Sequence, residues 1–97
     1  MRALRQRISV WHRLRPFSRR ESTEYIQHRL RVAGDEGSIA ITPRACRVAH
    51  RYAHGVPRRL NQICDRALMA AYLSNKKTLN ARVMRLAARE VTALDSL

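Results

Sequence analysis

The stretch GVPRRLN at positions 55–61 places two arginines, Arg58 and Arg59, in the first turn of a predicted helix. Pro57 suits the first helical position, where its missing amide proton would have no partner in any case. The unpaired amides and the helix macrodipole make this end electropositive, so each arginine costs up to about 1 kcal/mol at low salt. A bound anion would remove the conflict, since guanidinium and amides would both donate to it. The pattern therefore indicates an anion-binding residue in this turn.

A second group of reactive side chains is Cys46, His50 and His54, which are four residues apart and could share one side of a helix. No fourth ligand is evident and nearby arginines would repel a dication, so we expect no metal site. Acid–base or nucleophilic catalysis is not indicated either, because Asp65 and Glu90 are isolated in the sequence.

The composition restricts the class of protein. The 97 residues suit one small domain. The 20 basic residues outnumber the 7 acidic ones, which gives a net charge of +13, and all but Lys76 and Lys77 are arginines. Such a charge attracts polyanions, so non-specific polyanion binding is expected. Two cysteines are too few for a disulfide framework, and neither a long apolar segment nor a cleavable signal is evident, which favours a cytoplasmic setting.

Four amphipathic helices are predicted to hold these residues. The residues that we expect to cap helix starts are Ser18, paired with Glu21 in a capping box, Thr42 and Asn80. Gly34 and Gly55 are expected to end the first two helices. Apolar residues at spacings of three and four predict the inward faces. These residues are Tyr25, Ile26, Leu30, Ala33, Ala45, Val48, Ala49, Tyr52, Leu60, Ile63, Cys64, Ala67, Leu68, Ala71, Val83, Met84, Ala87 and Val91.

The first 17 residues have a different pattern. Three apolar residues and a histidine fall on alternate positions in 8–14, as in a strand, and Pro16 ends the run. A single strand needs a sheet, and the rest of the sequence offers no convincing partner, so we expect the partner strands upstream of this chain. The predicted fold class is all-α, a small four-helix bundle at 18–97 preceded by one strand of a missing sheet at 1–17.

These residues together resemble a known family. The order of five short stretches is similar to the end of an AAA+ ATPase module. These stretches are LRQRI before the strand, RPFS before the first helix, TP at the start of the second helix, and GVPRRLN and CDRAL in the third. The closest resemblance is to the general secretion pathway protein A (ExeA-like) family, and it covers about residues 4–91. It implies that 18–97 is a helical lid domain and that 1–17 is the final strand and connector of the ATPase core.

The resemblance also implies functional residues. In AAA+ proteins a G-x-P-R motif begins a lid helix, and its arginine is the sensor 2 residue that contacts the terminal phosphates of the nucleotide. This assigns cofactor binding to Arg58, with Gly55 and Pro57 in the same motif. Arg7 matches the place where many AAA+ modules carry an arginine finger, which stabilises charge on the phosphoryl group in a neighbouring subunit.

The parent protein would bind ATP and Mg²⁺, act as a homo-oligomer, and take part in type II secretion or pilus-type assembly with a membrane partner of the secretion system. Its location would be cytoplasmic, with or without an inner-membrane anchor outside this chain. The chain contains no G-x-x-x-x-G-K-[ST] motif. We therefore expect that it does not hydrolyse ATP by itself and that the phosphate loop and magnesium-binding acids lie in an upstream core.

Two alternatives remain open. The second and third helices resemble a helix-turn-helix, in which Arg58, Arg59, Gln62 and Arg66 would face DNA. Against this, the turn HGVP is tight and proline-bound, and Gln62 is the only good base reader of the four. The other alternative is a pure protein-docking module, which the basic opening segment could also serve.

Overall fold

The computed structural model describes residues 15–32 and 39–95. Within these residues the chain forms four helices and two very short strands. The helices are α1 (Arg19–Val32), α2 (Pro43–Ala53), α3 (Pro57–Leu73) and α4 (Ala81–Asp95), and the strands are β1 (Ala40–Ile41) and β2 (Thr78–Leu79). The prediction of a small all-α fold with four helices is confirmed. None of the described helices combines the length and the apolar character needed to cross a membrane.

Some predictions fall on other parts of the chain. Four predictions lie outside the described residues. They are the strand at 8–14, the arginine finger Arg7, the inward-facing Ala33 and the helix-ending Gly34. The division into a connector at 1–17 and a helical domain at 18–97 stays a prediction.

The helix starts follow the predicted capping chemistry. The amide of Ser18 donates to Glu21 Oε1 at 2.8 Å, and the amide of Glu21 donates back to Ser18 Oγ at 3.1 Å. Thr42 Oγ1 and Asn80 Oδ1 each accept from the amide three residues further on, at 3.1 and 2.9 Å. Each bond satisfies an amide that the helix cannot pair itself, so these side chains determine where α1, α2 and α4 begin.

The core is formed chiefly by α2 and α3, each of which contacts all three of the other helices. All six residues predicted to face inward from α3 are buried, because spacings of three and four keep them on one side of the helix. These residues are Leu60, Ile63, Cys64, Ala67, Leu68 and Ala71. Of the other predicted inward residues, Leu30, Val48, Tyr52 and Val83 are only partly buried and pack against the edge of the core.

The two strands pair in parallel, with Ala40 opposite Thr78 and Ile41 opposite Leu79. The amide of Ala40 donates to the carbonyl of Lys77 at 2.9 Å, and the amide of Thr42 donates to the carbonyl of Leu79 at 3.1 Å. No strand was predicted in this part of the chain, since two residues are too few to show an alternating pattern. Because each strand runs directly into a helix, the pair holds the starts of α2 and α4 side by side.

Candidate functional site

The start of α3 is open to solvent in a way that suits an anion. Pro57 occupies the first turn, and the capping residue Val56 makes no side-chain hydrogen bond to the free amides. No acidic residue lies in this first turn either. Arg58 is exposed, and it takes no part in the ion pairs of Arg29 with Asp65 and of Arg66 with Glu90. A guanidinium and uncapped amides are therefore available together, which is the donor set that a phosphate requires.

The adjacent Arg59 has different surroundings. It is half-buried and interacts with other residues of the chain. It also lines a cavity of about 430 Å³ together with Tyr52 of α2 and Arg85 of α4. Successive helical residues point about 100° apart, so Arg58 faces outward while Arg59 packs toward the neighbouring helices.

Gly55 is in contact with the segment that leads into α1. The amide of Phe17 donates to the carbonyl oxygen of Gly55 at 2.8 Å, and Phe17 is 3% exposed. A Cβ atom on Gly55 would lie 2.3 Å from the carbonyl oxygen of Phe17, and the φ angle of Gly55 is +75°. Both the close approach and the left-handed backbone require glycine. Gly55 therefore fixes the position of the GVPR turn against Phe17.

The last residue of the motif is also anchored. Tyr25 Oη donates to Asn61 Oδ1 at 2.7 Å, and the rings of Tyr25 and Phe17 are 5.3 Å apart. Burial raises the pKa of the Tyr25 phenol, which keeps it protonated as a donor. Phe17, Tyr25, Gly55 and Asn61 thus form one cluster, called here the connector cluster. This cluster was not predicted from the sequence, although an aromatic residue between Pro16 and a capping box could have indicated a buried contact.

The three potential metal ligands on α2 are not brought together. Burial raises the pKa of the Cys46 thiol, which disfavours the thiolate that a metal needs. His50 Nδ1 is hydrogen-bonded to Ser22 Oγ at 2.7 Å, and His54 is an exposed residue at the end of the helix. No group of three histidine, cysteine or acidic side chains is arranged to hold a metal within residues 15–32 and 39–95.

The residues of the helix-turn-helix alternative do not form one open surface. Arg66 Nε donates to Glu90 Oε1 at 2.5 Å, which ties it to α4. Arg59 is half-buried, so only Arg58 and Gln62 of the four stand exposed without such a contact. The neighbouring Asp65 is exposed as well and is paired with Arg29, so a carboxylate rather than a free cation lies beside these two residues.

Comparison with known proteins identifies the relationship. General secretion pathway protein A of Aeromonas hydrophila is 39% identical to this chain over 94 residues, which is 97% of the chain. The chain is related to general secretion pathway protein A. This confirms the resemblance that the sequence motifs indicated. The chain spans 17% of the length of that relative. No family model and no solved structure matches the chain.

The similarity to general secretion pathway protein A extends over nearly every residue of the chain. It therefore includes the start of α3, with Arg58, and the connector cluster. The open helix start and the glycine contact that positions it both belong to the segment shared with the relative.

Proposed function

We propose that this chain is the C-terminal helical lid of an AAA+ ATPase, and that Arg58 is its sensor 2 arginine. The observation that carries the proposal is the exposed guanidinium of Arg58 in the first turn of α3, a helix start without a side-chain cap. The G-x-P-R motif of this chain lies in the segment that aligns with general secretion pathway protein A. In AAA+ proteins such a motif holds the arginine that contacts nucleotide phosphates, which supports the proposal.

ATP and Mg²⁺ are the proposed cofactors of the full-length protein, and their phosphate loop and acidic ligands would lie in the upstream core. The residues of this chain fit a phosphate, since Arg58 offers two parallel N–H donors and the first turn offers free amides. Gly55 and Pro57 would position Arg58 and would not contact the phosphate through their own side chains. Gly55 lets the connector approach, and Pro57 fixes the backbone at the helix start, so that Arg58 is held at a defined place.

The first residues of the chain have a proposed role of their own. We propose that 1–17 is the final strand and connector of the ATPase core and that Arg7 reaches the nucleotide of a neighbouring subunit in a homo-oligomer. The buried Phe17 would then join the core to the lid at the turn before Arg58. The name of the relative supports a role of the parent in secretion. We propose that this role is cytoplasmic and belongs to type II secretion or pilus-type assembly, with a membrane component of that system as partner.

The test compares Arg58→Ala with Arg59→Ala in the full-length protein. Loss of one charge-assisted contact to phosphate costs about 1.5 to 3 kcal/mol, so Arg58→Ala should reduce nucleotide affinity or the hydrolysis rate about ten- to a hundredfold. Its melting temperature should stay the same or rise slightly, since an unfavourable cation leaves the helix start.

Arg59→Ala should give the opposite result, because Arg59 is half-buried and engaged with other residues. We expect a lower melting temperature and nearly unchanged hydrolysis at a temperature where the variant is folded. Equal loss of hydrolysis in both variants, or intact hydrolysis with an unfolded Arg58→Ala protein, would show that Arg58 is a structural residue.

A further inference from the structure

A groove between α2 and α4 is lined by five arginines from three helices. Arg44, Arg47 and Arg51 follow one another at helical spacing on α2, Arg85 comes from α4 and Arg19 from the start of α1. The volume of this groove is about 700 Å³. We call it the arginine groove. It lies apart from the exposed face of α3 that a helix-turn-helix protein would use.

The positive charge of the arginine groove is not balanced by nearby carboxylates. No acidic residue lines the groove or the adjoining cavity that contains Arg59. The ion pairs of Arg29 with Asp65 and of Arg66 with Glu90 lie elsewhere and involve none of the five arginines. Burial, followed by the charge of Arg19, lowers the pKa of His50 at the wall of the groove. Five cations held together at the described surface favour an anionic ligand with several charges.

The kind of anion follows from the side chains present. Every cation of the arginine groove is an arginine, whose planar fork matches phosphate oxygens better than the point charge of lysine does. Binding to an anionic membrane is strengthened where exposed apolar residues lie beside the cations and can be buried in the lipid. The large exposed apolar residues of the described structure are Val32, Val56, Met69, Tyr72, Leu73, Leu86 and Leu94. None of them lines the groove.

The spacing on α2 fits a regular row of phosphates. At a rise of 1.5 Å per residue, Arg44 and Arg51 are about 10 Å apart along the helix. One strand of a DNA duplex carries one phosphate for each 3.4 Å of rise along its axis, so arginines spread over about 10 Å of a helix that lies beside the backbone can reach successive phosphates. We propose that the arginine groove binds the phosphate backbone of double-stranded nucleic acid. Phosphate contacts carry no base information, so this binding is indifferent to sequence.

The test titrates the 97-residue chain with two fluorescein-labelled DNA duplexes of unrelated sequence at several salt concentrations. A triple variant, Arg44→Gln, Arg47→Gln and Arg51→Gln, removes the row on α2. Affinity falls as salt rises, and each lost phosphate contact reduces the magnitude of the slope of log affinity against log salt by about 0.9, so this magnitude should fall by nearly three in the triple variant. The wild-type chain should prefer neither duplex by more than about tenfold, far below the thousandfold of specific readers.

A charge-matched control removes three cations outside the groove by Lys76→Gln, Lys77→Gln and Arg82→Gln. These exposed residues do not line the groove, so the control should change the slope by less than one. Circular dichroism verifies that each variant is folded. If the triple variant is not, the single variants Arg44→Gln and Arg47→Gln should each reduce the magnitude of the slope by about 0.9.

Three results would overturn the proposal. Equal loss of slope in the triple variant and its control would mean that only net charge matters. A preference of more than about a thousandfold for one duplex would indicate base reading. Tighter binding of poly-glutamate or of phosphatidylglycerol vesicles, lost in the triple variant, would assign the groove to an acidic protein or to a membrane.

Discussion

The amide nitrogen of Phe17 donates a hydrogen bond of 2.8 Å to the carbonyl oxygen of Gly55. This bond joins the segment before α1 to the turn before α3, although the two residues are far apart in sequence. Because Arg58 follows Gly55 by three residues, the same bond holds the start of α3 at a fixed place relative to the segment before α1. The position of the proposed phosphate contact thus depends on a residue outside the GVPR motif.

Gly55→Ala should destabilise the chain. The left-handed backbone of a non-glycine residue costs about 1 to 2 kcal/mol. The displacement of Phe17, whose carbonyl oxygen lies 2.3 Å from the added carbon, adds about 1 to 3 kcal/mol. Urea unfolding followed by circular dichroism measures the change. The exposed neighbour Val56 is the control, and Val56→Ala should stay within about 0.5 kcal/mol of wild type. A wild-type unfolding curve for Gly55→Ala would contradict the close contact.

The hydrogen bond between Tyr25 and Asn61 should contribute about 1 kcal/mol to stability. Tyr25→Phe removes the donor and leaves the ring contact with Phe17 intact, while Asn61→Ala removes the acceptor. A double-mutant cycle on the unfolding free energies isolates their interaction, which should lie between about 0.5 and 1.5 kcal/mol. Strictly additive effects would mean that the bond does not form in solution.

His50 should make stability depend on pH. Burial lowers the pKa of its imidazole in the folded chain, so the unfolded chain binds the proton more readily. Stability is therefore greatest above about pH 6.5, the ordinary value for histidine, and falls as the pH drops through that value. The slope of unfolding free energy between about pH 7.5 and 5.5 measures the effect.

His50→Gln should flatten this slope. His54→Asn is the control, because His54 is exposed and asparagine tolerates its left-handed backbone angle of 55°. An unchanged slope in His50→Gln, or a slope lost equally in both variants, would rule out His50 as the source.

The 97-residue chain alone should bind ATP with magnesium no more tightly than about millimolar and should release no phosphate. The reason is that a sensor arginine supplies one contact, whereas the phosphate loop that holds most of a nucleotide has no counterpart in this sequence. Isothermal titration calorimetry and a phosphate-release assay test both statements. Measurable turnover by the purified chain would contradict the assignment as a lid.

The helix starts could be predicted from the sequence because their causes are local. The capping box of Ser18 and Glu21 and the caps at Thr42 and Asn80 each depend on residues three positions apart, so a short stretch of sequence contains the whole signal. The buried face of α3 was equally predictable, since its period is a property of the helix itself.

The contacts between distant segments could not be predicted in the same way. Gly55 was recognised as a helix end and as part of a motif, but nothing in the adjacent residues shows that Phe17 would pack on it. The arginine groove could not be predicted from the sequence for the same reason. Arg44 and Arg85 lie on separate helices, and they line one groove only once α2 and α4 are packed together.

The parallel pairing of β1 and β2 has a consequence for how the chain can change in evolution. The pairing of Ile41 with Leu79 fixes the first turns of α2 and α4 relative to each other. Insertions or deletions in the segments that precede the two strands would alter loop length and leave this registry unchanged. A one-residue shift inside either strand would instead move the arginine row of α2 relative to Arg85 of α4. Relatives should therefore differ in length before each strand while keeping the strand-to-helix spacing constant.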